Sequence, residues 1–212
     1  VWAYEIGWKT DLADQRVRLN GAAFYNDYTD IQFSASLNID GQPFFVIQNA
    51  GKAEVKGFEL ELSAAPRRGL DLALALGYID TQYTDLEDVS PNSVTLDGVI
   101  PKTPEWTVSF SPQYSFPLRS GGTLTLRGDY SYRTEVFNDI SNSPQIAQDG
   151  YGLINARVGW SSRSTDWEVA LFGTNLGDEE YLEHGFNAAA FGVAIGVVGR
   201  PREWGLTVRR RF

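Results

Sequence analysis

Cysteine and methionine are both absent from the 212 residues, and histidine occurs once, at position 184. Without thiols there are no disulfides and no thiolate metal sites. Nucleophilic and acid–base catalysis need an oriented partner for the reacting group, and none is recognisable here, so His184 reads as a loop residue beside Glu183 and the chain as no enzyme. Long hydrophobic runs are missing too, with a mean hydropathy of −0.26. The nearest approach, 186–198, is too short to span a bilayer as a helix and is broken by Gly192 and Gly196. Basic residues are scarce: 18 Lys and Arg against 27 Asp and Glu give a net charge of −9, which argues against nucleic acid as a partner. The acidic group Asp85, Glu87, Asp88 and Asp97 lacks the dense ladder of a calcium loop and reads as solvated. No methionine starts the chain, and Val1 already lies inside an alternating run. The chain is therefore expected to be a piece of a longer protein, with any secretory signal upstream.

What is present is alternation. In the last thirteen residues Trp204, Leu206, Val208 and Phe212 share one parity, with Arg210 the exception, and Glu203, Gly205, Thr207, Arg209 and Arg211 share the other. A period of two means a strand with one oily and one polar face. Eight earlier segments repeat it, among them Trp2, Tyr4, Ile6 and Trp8; Phe58, Leu60 and Leu62 within a segment from about 44 to 65; and Leu72, Leu74, Leu76 and Tyr78. The connections alternate in length: 11–15, 66–69, 117–122 and 161–165 are tight, whereas 29–43, 85–104, 138–149 and 177–199 are long. In an up-and-down sheet this gathers every long loop at one end. A soluble sandwich uses the same alternation but has no reason to sort its loops by length. The reading is therefore an all-β, antiparallel, up-and-down transmembrane β-barrel, here a partial wall of about nine strands. Trp8, Tyr25, Tyr78, Trp106, Tyr132, Trp160 and Trp167 near the strand ends suit a membrane interface.

On the polar parity, Arg16, Arg18, Glu59, Glu61, Arg127, Asp129, Arg157, Glu168 and Arg209 mix both signs, which suits either an aqueous lumen or a polar plug. Arg16 and Arg18 are expected to approach Glu59 and Glu61 across neighbouring strands. The 186–198 segment is expected to return as an extension of the final strand, with a register break near Gly199 and Pro201.

Three stretches resemble the carboxyl-terminal part of a TonB-dependent outer-membrane receptor. NAGKAEVKGFELEL places Gly51, Gly57 and Glu59 where that family has them, FGTNLGDEEYLE is similar to its Asn-Leu-Phe-Asp motif with Gly177 in place of the aromatic, and the last strand ends on Phe212 as the family's does. The resemblance covers essentially all of 1–212. It implies the last nine strands of a barrel of about 22 that holds an amino-terminal plug, with plug and earlier strands absent here. It further implies import of a scarce ligand, a ferric siderophore or similar iron complex, energised by TonB through the plug. Outer-membrane lipid would be the surrounding partner, and the barrel-assembly machinery would engage the terminal strand of Trp204, Leu206, Val208 and Phe212. The long loops would be extracellular and the carboxyl terminus periplasmic. Loop and near-loop residues Tyr28, Phe44, Tyr83, Phe137, Asn138, Tyr181 and His184 are the candidate ligand contacts, and no cofactor or metal is implied. A passive porin or structural barrel is the alternative.

Overall fold

The computed structural model describes the chain apart from residues 40, 41, 50, 87–93, 120, 165 and 189–191; within 33–49 it describes the backbone and the Ile47 side chain. Its main feature is a nine-stranded antiparallel sheet: β1 (Trp2–Leu12), β2 (Val17–Tyr28), β5 (Lys52–Arg67), β6 (Leu70–Asp85), β7 (Trp106–Pro117), β8 (Thr123–Arg133), β9 (Tyr151–Ser161), β10 (Trp167–Thr174) and β13 (Glu203–Arg210), paired in that order. The sheet does not close on itself, and β1 and β13 are its edges. Tight turns at 13–16, 68–69, 118–122 and 162–166 lie at one end, and the long connections lie at the other.

Register decides which face each residue joins, because a slip of one position exchanges the faces. Ile6 faces Ala23, Ala23 faces Phe58, Phe58 faces Tyr78 and Tyr78 faces Trp106. Further along, Phe116 faces Leu124, then Trp160, Val169 and Val208 follow in turn. The oily parity of each strand is thus laid beside that of its neighbour across the whole sheet. These side chains are not packed into a dry interior: Leu171 is 51% and Leu206 67% exposed. Rings mark the edges of this apolar face, with Tyr78 and Trp106 4.7 Å apart and Phe58 within 5.9 Å of both. The small buried core lies at the long-loop end, where Ala53, Tyr83 and Val94 are packed by Ile31, Leu86, Ile100 and Ile140.

Two of the long connections carry hairpins of their own. β3 (Gln32–Ile39) pairs with β4 (Gln42–Asn49), and β11 (Leu182–Ala188) pairs with β12 (Val193–Val198). The expected polar connection 29–43 and segment 44–65 are therefore corrected: 44–49 belongs to the first hairpin, and the wall strand starts at Lys52. Likewise corrected is the expected extension of the final strand with a register break near Gly199 and Pro201: 193–198 pairs with β11, and 199–202 is the connection from there to β13.

Candidate functional site

On the polar face of the sheet a concavity of about 490 Å³ has a floor of small residues, Ala75, Gly77, Thr107 and Ser109, flanked by Glu59 and Glu61. At its long-loop end stand Arg133 and Tyr151, which face each other across β8 and β9. The Arg133 guanidinium carbon lies 4.6 Å from the centre of the Tyr151 ring, and Tyr181 stacks on that ring at 4.5 Å with 21° between planes. Arg133 Nε is buried with no hydrogen-bond partner among the described residues. Lys102 reaches the same region from the 86–105 connection. Its backbone N–H donates to the Phe137 carbonyl at 3.0 Å and its ammonium to the Glu183 carbonyl at 3.2 Å. Burial, and then the neighbouring Arg133 charge, hold the Lys102 ammonium below the ordinary lysine value. Among the described residues neither Lys102 nor Arg133 is in an ion pair. Two mutually repelling cations beside two stacked rings, in a chain of net charge −9, form a site that an anion with a planar face would neutralise and cover.

The loops that deliver these groups are tied together. Asn142 accepts from the Val99 N–H at 2.7 Å and donates to its carbonyl at 2.9 Å, joining 134–150 to 86–105. Asp139 accepts from the Ser143 N–H at 2.8 Å and hydroxyl at 2.6 Å, and the Asn187 amide donates to that hydroxyl oxygen at 2.6 Å. The Leu182 N–H donates to Gln148 Oε1 at 2.6 Å, bringing β11 and the adjacent Tyr181 over Tyr151. The Asn-Leu-Gly-Asp motif closes the base of this last excursion. Asn175, 4% exposed, donates to the carbonyls of Glu179 and Arg200 at 2.8 and 3.0 Å and accepts from the Glu179 N–H at 2.8 Å. Asp178 accepts from the Arg202 N–H at 3.0 Å and pairs with its guanidinium at 3.2 Å.

Of the candidate contacts, Tyr181 stands in this site and Phe137 supports it through its carbonyl. Asn138 is half-buried and its amide donates to the Ile146 carbonyl at 2.6 Å, so it braces its own loop. His184 is exposed beside an irregularity in β11, and Tyr28 ends β2 opposite Ala53. Tyr83 is corrected: at 1% exposure it is a core side chain with no surface to offer a ligand. The Phe44 side chain lies outside the described residues, as do Glu87 and Asp88 of the acidic group, whose Asp85 pairs with Lys52 at 3.0 Å. The expected Arg16 and Arg18 pairing with Glu59 and Glu61 is also corrected. Register sets Arg18 opposite Asp11 and Ser63, and it pairs with Asp11 at 2.8 Å, while Glu61 accepts from Asn20 at 3.3 Å. Arg133 and Tyr151 were within reach of the sequence, since Arg133 continues the inward parity of Arg127 and Asp129. Lys102 carries no such signal, because only the folding of its loop brings it there.

Comparison with known proteins follows the same lines. A family model described as TonB dependent receptor-like, beta-barrel, matches residues 1–176. The pesticin receptor of Yersinia pestis is 24% identical over 205 residues, covering 93% of this chain and 27% of that protein. The metal-pseudopaline receptor CntO of Pseudomonas aeruginosa is 28% identical over 188 residues, covering 87% and 24%. This chain thus spans about a quarter of the length of these curated relatives. Among solved structures, the ferric yersiniabactin uptake receptor FyuA from Yersinia pestis superposes with a TM-score of 0.81 at 25% identity, over 99% of this chain and 29% of that one. The siderophore receptor PiuA from Acinetobacter baumannii, at 19% identity, shares the fold with a TM-score of 0.76 over 98% of this chain and 28% of its own.

Proposed function

The chain belongs to the TonB-dependent receptor-like β-barrel family, and from that premise we propose that it forms part of a bacterial outer-membrane receptor importing a ferric siderophore or similar iron complex with energy delivered through TonB. The named relatives are receptors and not enzymes, and they do not favour a passive porin. In this reading the 212 residues are the carboxyl-terminal portion of the barrel, with the plug and the remaining strands elsewhere in a longer protein. The long loops face outward from the cell and the short turns the periplasm. The terminal strand carrying Trp204, Leu206, Val208 and Phe212 is the part offered to the assembly machinery.

The observation that carries the reading is the Arg133, Tyr151, Tyr181 and Lys102 group at the long-loop mouth of the polar face. Cations alone would also serve an anion-selective pore; the stacked rings beside them add a surface for the planar face of an anionic chelate, which a receptor uses. Phe137, Asn138, Tyr28 and His184 are carried forward as the surrounding loop contacts. The test is uptake of radioactive iron, presented as a panel of ferric catecholate, phenolate and hydroxamate chelates, by cells expressing the full-length protein. Uptake of at least one chelate that stops when TonB is deleted, and falls in Lys102→Gln and Arg133→Gln cells, is the expected result. Entry of small sugars that ignores TonB, with no chelate imported, would replace the receptor with a porin.

A further inference from the structure

Arginines stand on both faces of the wall, and the two faces meet different solvents. On the polar face four are paired, Arg209 and Arg211 sharing Glu168 at 3.6 and 3.1 Å, Arg18 taking Asp11 at 2.8 Å and Arg127 taking Asp129 at 2.7 Å, while Arg133 and Arg157 are in no ion pair among the described residues but face the polar side, where water can solvate them. Two arginines stand on the apolar face instead. Arg210 faces Trp167 in register, and Arg67, just after an irregularity in β5, faces Leu70. Among the described residues neither is in an ion pair. Each lies over a ring: Arg67 is 5.0 Å from the centre of Tyr114, and Arg210 is 5.0 Å from Trp167 and 4.6 Å from Phe212. Both sit where their strands meet the short-turn end, and each of the four tight turns adds one more arginine, at 16, 68, 119 and 163.

We propose that this short-turn rim binds the phosphate headgroups of anionic glycerophospholipids through two sites, Arg67 on Tyr114 and Arg210 on Trp167 and Phe212. The proposal rests on the wall being a membrane-spanning one. An unpaired guanidinium on a hydrocarbon-facing surface is costly unless it reaches the headgroup layer, and a strand end is where it can. The ring beneath shields its apolar face and fixes its plane, leaving the planar fork of N–H donors for two phosphate oxygens. The residue type supports a phosphate in particular: among the described turn residues at this end all the cations are arginine, and a lysine would serve as a mere point charge.

The test uses the full-length receptor in vesicles of phosphatidylcholine containing either phosphatidylglycerol or lipid A, with retained lipids counted by native mass spectrometry. The wild type should retain phosphatidylglycerol over phosphatidylcholine. The double variant Arg67→Gln with Arg210→Gln should lose roughly tenfold of that preference, and the double Lys variant should fall between them. Heat-modified gel mobility confirms that each variant is a folded barrel. Equal retention by wild type and the Gln variant overturns the proposal, as does a preference for lipid A over phosphatidylglycerol. Failure of the wild type to insert into any vesicle removes the membrane-wall reading, and this site falls with it.

Discussion

At the scale of single residues, Gly57 and Gly77 serve the packing of the wall and Lys102 serves the proposed site. Gly57 is without a side chain because a Cβ there would run into the Tyr78 carbonyl oxygen and the Phe24 ring. Backbone cannot move aside cheaply, so Gly57→Ala should destabilise the folded barrel by about 1–3 kcal/mol. At Gly77 the nearest obstacle is the rotatable Thr107 hydroxyl at 2.7 Å, and Gly77→Ala should cost less. The temperature at which the compact form is lost on gels ranks the two. Lys102 is the functional counterpart. Its proton is held less tightly than usual in the free protein, and a bound anion would hold it more tightly, so binding should take up protons as pH rises into the range below 10.5. Affinity for an anionic ferric chelate should therefore weaken through that range, and Lys102→Gln should flatten this limb of the pH profile. Isothermal titration of the full-length protein in buffers of different ionisation heat measures the proton uptake directly.

Elements show which parts of the fold could be read in advance. Strand faces were legible because hydrophobic parity persists for whole segments, as it does from Leu70 to Tyr78. The excursion hairpins were not. Alternation runs from β4 into β5, so 44–65 looked continuous, and the mark of the boundary is Gly51, whose φ of 151° and closeness to the Asp85 carbonyl suit glycine. In the last excursion the Asn-Leu-Gly-Asp motif was recognisable by its letters, but its work was not, since Arg200 is distant in sequence. Asn175→Ala removes the donor to two carbonyls and the acceptor for the Glu179 N–H, and it puts alanine at a φ of 47°. A loss of about 1–3 kcal/mol from the loop closure is expected. Limited proteolysis should then cut within 182–198 while the barrel band stays intact; unchanged protease resistance would show that the closure lies elsewhere.

For the molecule as a whole, what matters is that the apolar face passes without interruption through all eight strand interfaces, the irregularity in β5 included. Leu206 lies within it, facing Leu171, which in turn faces Val158. Leu206→Lys, in the middle of β13, should cost about 2–4 kcal/mol in a bilayer, whereas Thr207→Lys, on the polar face beside Ala170, should be far better tolerated. Urea unfolding of the full-length protein in lipid compares them, and equal costs would deny that the two faces meet different solvents. This property is legible in the sequence, because parity and connection length are both written locally. The mouth group was legible only in part, since it assembles from β8, β9 and two loops. An inserted or deleted residue inside a strand exchanges the faces of its remainder unless a bulge absorbs it, as one does between Ala64 and Arg67, so natural variation in length should concentrate in the connections. Descendants of one such wall can then diverge in the cargo they select while inheriting a scaffold of constant gauge.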